Sequence, residues 1–430
     1  MTPQNDTNAD FLKSDRMKTI IFSILVFTLP ASIPAQESET LERFKNVPWQ
    51  DNGVITDQNG NVAKNNETQG NTKILDVDNL WGEKLGPRFE GWYTRITDQD
   101  GRRTFAFIAG SFLSEGVPFS PKQAMPGYLA ILVSDGTGKT LKVYETFPEK
   151  TSLSINGKKV FNENPLAYSP TGLSKDGPRA DFTWASQGYG HINNKDFALT
   201  IPGEIDIKGT FGEPVYWNNS KNGSPEGIAV EIPLVPIHWY VHSLGSPSNY
   251  EYNVPKEKIS VKSSGYAHIE KNWGKSFPRK WIWSEGISDN NASHYAFGGG
   301  EVNFGAFNMT SFLVGFHTQK ISLDFKPQQG TLFKTFINGC NGTFSMVIAR
   351  YGRQLVIDSS AEAKSFGKVS IPTAKGFVAN GGAESFSART TIEAYEVDVA
   401  GNSTLVEKKT FANSALEFGG NYMCGGFDNF

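Results

Sequence analysis

Short runs of alternating apolar and polar residues cover most of the chain from Trp81 onwards. They are rich in β-branched and aromatic residues, and a period of two is typical of strands. The clearest runs are Thr104–Ile108, Tyr128–Val133, Leu141–Glu145, Phe197–Ile201, Gly227–Ile232, Thr310–Phe316, Phe344–Ala349, Leu355–Ser359 and Thr391–Val397. Turn sequences such as Asp135-Gly136 separate them. No long amphipathic helix is indicated after residue 80, so the chain is predicted to be all-β, as sandwiches or barrels.

The first 80 residues have a different pattern. Residues 1–36 contain Arg16-Met17-Lys18, an apolar run from Thr19 to Leu29 and then small residues, which is typical of a secretory signal. An uncleaved hydrophobic helix is the alternative, and the true start is Met1 or Met17. Residues 37–80 are polar and predict a lead-in linker, with one short helix at Thr40–Lys45.

A faint internal repeat favours two β domains. Pro87-Arg88 followed by Trp92 matches Pro278-Arg279 followed by Trp283 at a constant offset. The polar segment Ser246–Lys258 contains two prolines and is the predicted boundary. We therefore expect an N-terminal domain at residues 81–250 and a C-terminal domain at residues 258–430.

Charge and motifs exclude several classes of function. The net charge of −3 is small and mixed, which gives no electrostatic argument for nucleic acid or an anionic membrane surface. Hydrolase elbows, zinc-protease motifs, P-loops and dinucleotide-binding glycine patterns are missing from the sequence. His238 and His242 lie four residues apart in a predicted strand, too far apart to chelate one ion, so no metal site is predicted.

Two further features bear on the cellular compartment. Cys340 and Cys424 could form one disulfide or remain two free thiols. Several glycosylation sequons weakly favour a secreted glycoprotein. They include Asn66, Asn218, Asn222, Asn291, Asn308, Asn341 and Asn402.

The densest candidate chemistry lies between Gly265 and Trp283. Tyr266, His268 and Glu270 alternate, so they should share one face of a strand. In an apolar cavity burial would favour the neutral form of Glu270, which could then donate a proton. The alternative is a structural salt bridge to a nearby Lys or Arg, and Glu90 has the same two interpretations. The tryptophans either fill a core or stabilise a developing cation with their π faces.

These residues carry a resemblance to the tocopherol cyclase family, over roughly residues 81–426. The most specific block is Glu270–Gly274 with Phe277–Trp283. Supporting motifs are Phe89-Glu90-Gly91-Trp92-Tyr93, Pro236-Ile237-His238-Trp239 and Gly298-Gly299-Gly300, with weaker matches at Met346–Ser359, Thr391–Glu396 and Leu416–Gly420. Thr94-Arg95 and Tyr240–His242 depart from the family pattern.

The resemblance implies two lipocalin-like β domains packed together, related to carotenoid hydratases and some fungal cyclases. It also implies closure of the chroman ring of vitamin E precursors, by acid attack on the alkene of a prenylated hydroquinone, with no redox cofactor or metal. We expect Glu270 to be the proton donor or its orienting partner, and His238 to help deprotonate the phenol. The other site residues expected are Glu90 for catalysis and Trp92, Tyr93, Tyr266, Asn272 and Trp283 for substrate binding.

Alternatives for both the function and the location stay open at this point. The chain could bind a hydrophobic prenyl or lipid ligand without catalysis, or it could be a structural β protein of the cell surface. The resemblance favours a plastid or another organelle, whereas the signal-like segment favours the secretory pathway. A greasy substrate is also compatible with peripheral association with a membrane or lipid body.

Overall fold

The computed structural model describes residues 39–49, 54–55 and 88–426, except 102, 115, 117–124, 135–140, 157, 160–180, 232–234, 289 and 304–307. The predicted signal at residues 1–36, most of the lead-in and the Asn66 sequon lie outside the described residues. In the described ranges, no helix has the length and apolarity needed to cross a membrane. The chain begins there with helix α1, Glu39–Arg43, which confirms the predicted short helix, and with strand β1, Val54–Ile55.

The next twelve strands form the first sheet of the described chain. They are β2 Arg88–Asp98, β3 Thr104–Leu113, β4 Gly127–Ser134, β5 Leu141–Thr146, β6 Ser152–Ile155, β7 Lys158–Lys159, β8 Phe182–Ser186, β9 Gly190–Asn193, β10 Asp196–Ile201, β11 Ile205–Phe211, β12 Ile237–Val254 and β13 Ile259–Gly274. Their order is β5-β4-β3-β2-β13-β12-β11-β10-β9-β8-β6-β7. A bridge between Met125 and Thr151 joins the segments just before β4 and β6, so the sheet curls on itself.

The remaining strands form the second sheet together with β1. They are β14 Lys280–Ser288, β15 Ser293–Asn303, β16 Asn308–His317, β17 Ser322–Phe325, β18 Leu332–Asn338, β19 Thr343–Arg350, β20 Arg353–Ser360, β21 Gly367–Thr373, β22 Gly376–Val397 and β23 Ser403–Gly420. The order is β1-β18-β19-β20-β22-β23-β14-β15-β16-β17, with β21 beside β22. The prediction of an all-β chain with two lipocalin-like domains is confirmed.

Alternation along each strand creates three apolar layers. Trp92 and Phe107 point into the core of the first sheet, whereas Ile282 and Phe297 lie in the core of the second sheet. The intervening positions, such as Tyr93, face outwards and pack against the other sheet, with Trp239, Trp283 and Phe386 in the same cluster. Strands buried on both faces explain why many runs in the sequence are almost continuously apolar.

The chain changes sheet later than predicted. Ser246–Lys258 lies in the long hairpin of β12 and β13, and both of these strands belong to the first sheet. The crossing occurs between Gly274 and Lys280. The hydrogen bonds of the Lys275 amide to Pro236 and of the Phe277 amide to Pro372 fix the crossing segment to both sheets. The predicted boundary missed this because a polar hairpin end and a linker have the same composition.

Two other sequence features have clear outcomes. The predicted strand at Gly227–Ile232 is instead a short 3-10 turn at Gly227–Glu231. Cys340 and Cys424 form a disulfide, which selects one of the two alternatives for the cysteines and closes a loop with a sequence separation of 84.

Candidate active site

Glu270 on β13 is buried between the two sheets and is surrounded by hydrogen-bond donors. Its Oε2 accepts the indole N–H of Trp239 at 2.8 Å and that of Trp283 at 3.0 Å. His268 Nε2 lies 3.0 Å from the same oxygen. Asn272 Nδ2 donates to Oε1 at 3.2 Å. In these contacts the Glu270 carboxyl group acts as a hydrogen-bond acceptor.

Strand register brings these donors together. His268, Glu270 and Asn272 alternate along β13 and therefore share one face. Trp239 pairs with Asn272 across the β12–β13 ladder, so its side chain is on that face as well. Trp283 comes from β14 of the second sheet and reaches Glu270 across the interface.

Glu384 on β22 and Glu417 on β23 supply two further carboxyl groups, and together they are called the acid pair here. They are paired residues on adjacent antiparallel strands, and Trp283 continues the row on β14. Glu384 is buried, whereas Glu417 keeps a partly exposed edge. The indole N–H of Trp281 donates to Glu417 Oε1 at 3.2 Å. Carboxylates at opposed positions repel each other, which favours retention of a proton by the pair.

Burial is the main cause of the unusual titration of the acid pair. It raises the pKa of Glu417 to about 7, with the hydrogen bond from Trp281 opposing the shift and the charge of Glu270 adding to it. Burial likewise holds the pKa of Glu384 well above its usual value, and the charge of Glu417 acts in the same direction. The pair therefore retains an acidic proton near neutral pH, where an exposed glutamate is ionised.

Tyr93 connects the acid pair to the Glu270 cluster. Its hydroxyl donates to Glu384 Oε1 at 2.5 Å, and its ring meets the ring of Trp283 edge-on with centroids 5.0 Å apart. Burial, reinforced by the charge of Glu384, raises the pKa of Tyr93 well above its ordinary value. The tyrosine is thus a neutral donor at the interface throughout the physiological pH range.

A buried ion pair lies beside this group. Arg95 on β2 donates to the Glu285 carboxylate on β14 and to the backbone carbonyl of Asn413, so it joins the two sheets. Its guanidinium also lies over the ring of Phe386, 5.2 Å from the centroid. The alternative interpretation of Glu270 was a structural salt bridge. The salt bridge that joins the two sheets here is formed by Arg95 and Glu285 instead.

Three glycines on the second sheet make room for the site. A Cβ at Gly419 would lie 1.8 Å from the indole of Trp281, and one at Gly382 would lie 2.8 Å from Glu417 Oε1. Gly298, from the glycine motif, faces Trp239, with 3.5 Å from an added Cβ to its ring. A larger side chain would therefore clash with Trp281 at position 419 and crowd Glu417 at position 382.

An aromatic row leads from the surface to the acid pair. Neighbouring ring centroids in the row lie 4.9–5.5 Å apart, except at one step between paired residues of β2 and β3. From the rim inwards its members are Phe147, Tyr128, Phe377, Phe112, Phe89, Phe277 and Trp281. Phe147 is 51% exposed, so the row begins at solvent. Tyr93, Trp239, Trp281 and Trp283 retain 5–8% exposure, and a water-sized molecule can therefore touch each of them.

The family model described as tocopherol cyclase-like matches residues 86–420. The chain belongs to this family. It is 30% identical over 273 residues to a probable chloroplastic tocopherol cyclase of Oryza sativa subsp. japonica and 23% identical over 273 residues to the chloroplastic tocopherol cyclase of Zea mays. In each case the alignment covers 57% of this chain and 57% of the relative, so the chain spans a little over half of their length.

A solved structure is also similar to this tocopherol cyclase-like chain. It is the crystal structure of CghA with Sch210972, with 9% sequence identity and a TM-score of 0.49. The match covers 77% of this chain and 88% of that chain.

The structure separates three predicted site residues of this tocopherol cyclase-like chain from Glu270. His238 lies on the opposite face of β12, where its Nδ1 is 2.8 Å from Glu226 Oε2 and its ring stacks on Trp273. Glu90 and Trp92 also face the interior of the first sheet. There Glu90 forms a buried ion pair with Lys271, whose ammonium lies between the rings of Trp92 and Trp273. Strand parity, which assigns alternate residues to opposite faces, is the physical reason.

Other predicted residues do meet at the interface. Tyr93, Asn272 and Trp283 surround Glu270 or the acid pair, as described above. Tyr266 is half-buried and lies further along the Glu270 face, opposite Thr97. No contact joins Tyr266 to the described carboxyl cluster.

Sequence reasoning missed the acid pair and the role of Trp239. Glu417 lies within the weak family match Leu416–Gly420, and Glu384 lies between Gly381-Gly382-Ala383 and Ser385-Phe386. A glutamate enclosed by small and apolar residues is the signal that could have identified both. Among the described residues, no group of three or more His, Cys, Asp or Glu side chains is arranged to hold a metal ion.

Proposed function

We propose that the chain is a tocopherol cyclase-type enzyme that closes a chroman ring on a prenylated hydroquinone by proton transfer. The observation that carries the proposal is the acid pair, which retains a proton near neutral pH beside an aromatic interface. An acid of this kind is needed to protonate an alkene, and an apolar site protects the resulting cation from water.

The proposed reaction is redox-neutral. A proton passes from Glu417 or Glu384 to the less substituted alkene carbon, which forms a C–H bond and leaves a tertiary cation. The phenolic oxygen attacks that cation to form the C–O bond of the chroman ring. The phenolic O–H proton then passes to a base, and the acid pair is reprotonated after product release, so one proton is taken up and one is returned.

The geometry changes the role first expected of Glu270. Its Oε2 accepts two indole N–H groups, and indoles cannot accept in return. Glu270 therefore suits the orienting role better than the role of proton donor, which we assign to the acid pair. Trp283 and Tyr93 lie between the two carboxyl groups, where their π faces would stabilise the cation.

The aromatic row supports a substrate with a long apolar tail. It offers stacked rings from the exposed Phe147 to Trp281, next to Glu417. We infer that the prenyl chain lies along this row while the hydroquinone head meets the acid pair. Entry from a membrane surface or lipid body is part of this proposal. The plant relatives are described as chloroplastic, which supports the plastid alternative for location.

The test incubates the purified full chain with a panel of prenylated hydroquinones and detects chroman by mass and retention time. We expect turnover by the wild type and a loss of about 100-fold or more for Glu417→Gln and Glu384→Gln. Glu393→Gln is the matched control, since it removes a buried carboxylate from β22 that is paired with Lys408 away from the site. Wild-type rates in both acid-pair variants would disprove the assignment. Tight binding without product from any panel member would favour the carrier alternative.

A further inference from the structure

His268 is fully buried and its two ring nitrogens have different surroundings. Nε2 lies 3.0 Å from Glu270 Oε2. Nδ1 is shielded from solvent and has no hydrogen-bond partner among the described residues. A buried polar atom without a partner is uncommon and costs free energy, so it calls for a physical reason.

The hydrogen-bond partners of Glu270 assign the tautomer of His268. Oε2 already accepts the N–H groups of Trp239 and Trp283, so this oxygen carries no proton. Nε2 of His268 must therefore be the donor in its contact with Oε2. In the neutral ring the lone pair then lies on Nδ1. A doubly protonated ring would instead leave a charged N–H buried without an acceptor, which costs more than an unused lone pair.

Neighbouring charged groups are engaged elsewhere. Arg95 lies opposite His268 in the β2–β13 pairing, but its guanidinium is bound to Glu285 and Asn413. His294 on the second sheet stays neutral because burial lowers its pKa to about 3. The ring of Trp283 lies with its centroid 6.0 Å from that of His268. Nδ1 of His268 thus keeps a lone pair that no described residue uses, on a ring that packs near Trp283.

We propose that Nδ1 of His268 accepts the phenolic proton of the substrate during ring closure, with Glu270 as the residue that positions the ring. This inference rests on the proposed function and identifies the base that function requires. The phenolic O–H bond breaks as the C–O bond forms, and the proton moves to Nδ1. The imidazolium so formed is stabilised by the Glu270 carboxylate at Nε2, and it releases its proton to water when the product leaves.

The first experiment separates the base from the acid by means of two substrates in D2O. One is a prenylated hydroquinone. The other is the same compound methylated on the oxygen that closes the ring, so this oxygen has no proton to lose. The acid pair can still add deuterium to the alkene of the ether, and its conjugate base can then remove a proton from a carbon next to the cation, which re-forms the alkene. Deuterium incorporation into the alkene therefore reports the acid step alone. For His268→Gln we expect chroman formation to fall about 100-fold and deuterium incorporation into the ether to persist at the wild-type rate. For Glu417→Gln we expect both to fall.

His191→Gln is the matched control, because His191 is a half-exposed histidine that also contacts a carboxylate, Asp196. Unchanged chroman formation in His268→Gln would overturn the inference, and so would equal loss of both reactions. Absence of both reactions in the wild type would instead overturn the proposed function, which is a different result.

The second experiment needs no turnover. ¹⁵N NMR of histidine-labelled wild type should show His268 neutral with its proton on Nε2. A hydroquinone with a saturated alkyl chain should shift the Nδ1 resonance by hydrogen bonding, and its O-methyl ether should not. In the turnover assay of the first experiment, Glu270→Gln should lower kcat with little change in KM, because the ring loses its positioning partner rather than a binding contact. A proton found on Nδ1 of the free protein would overturn the assignment, whatever the activity.

Discussion

Glu384 and Glu417 are paired across two antiparallel strands, and the protein keeps both carboxyl groups inside the interface between its sheets. In the proposed function this pair supplies the acid, at residues other than the expected Glu270. It should also make the proposed activity and the stability of the protein depend on pH in ways that can be measured.

The rate of ring closure should decrease above neutral pH. The acid pair must be protonated to act, and burial raises the pKa of Glu417 to about 7. We expect kcat to fall about tenfold per pH unit above that value. Steady-state rates measured from pH 5 to 9 check this. A rate that is flat across neutral pH would contradict the assignment of Glu417 as the titrating acid.

Glu417→Gln should stabilise the protein at high pH. The native pKa of about 7 lies above that of the unfolded chain, so the contribution of Glu417 is fully present below about pH 4.5 and is lost as pH rises through 7. At pH 8 the buried charge costs up to about 3 kcal/mol, which the variant avoids. Denaturant unfolding at pH 4 and 8 measures the difference. Glu149→Gln, an exposed site, should be neutral at both. Equal effects at the two pH values would refute the prediction.

Arg95→Met should destabilise the folded protein strongly. It leaves the Glu285 carboxylate buried without its cation, and such losses are about 3–5 kcal/mol. The double variant Arg95→Met with Glu285→Gln should recover much of this. Arg103→Met is the control, since its pair with Asp98 is half-exposed and 3.8 Å long, and should cost less than about 1 kcal/mol. Unfolding free energies give the comparison, and a double variant no better than the single would count against it.

Loss of the disulfide should lower stability without changing the site. Cys340 and Cys424 close a loop with a sequence separation of 84, for which chain-entropy estimates are about 4 kcal/mol. We expect the double Cys→Ser variant, and the reduced wild type, to unfold at lower denaturant concentration with an unchanged kcat. If the two samples differ from each other, or if neither is destabilised, the loop-closure explanation fails.

The fold was predictable because strand periodicity is a local property. The alternation of Tyr266, His268 and Glu270 correctly placed the last two on one face. Alternation within a strand does not predict which residue of the neighbouring strand lies opposite it. Trp239, rather than His238, meets Glu270 because β12 pairs with β13 in that register, and the register shifts after Val241.

The acid pair was beyond local reasoning for a different reason. Glu384 and Glu417 are ordinary residues in the sequence, and their chemistry arises from burial and from facing each other across strands. These are properties of the packed sheets. The family resemblance covers the region of the chain that holds Glu270 and Glu417. The proposed division between acid, orienting carboxylate and imidazole rests on the three-dimensional arrangement.

The crossing at residues 275–279 separates the chemistry into two halves. His268 and Glu270 belong to the sheet before it, whereas Glu384, Glu417 and Trp283 belong to the sheet after it. A substitution that only loosens docking between the sheets should therefore abolish the proposed activity while both sheets keep their circular dichroism. Halves taken from two relatives could therefore be recombined at this crossing. Each chimera would then combine the proposed acid of one relative with the proposed base of the other.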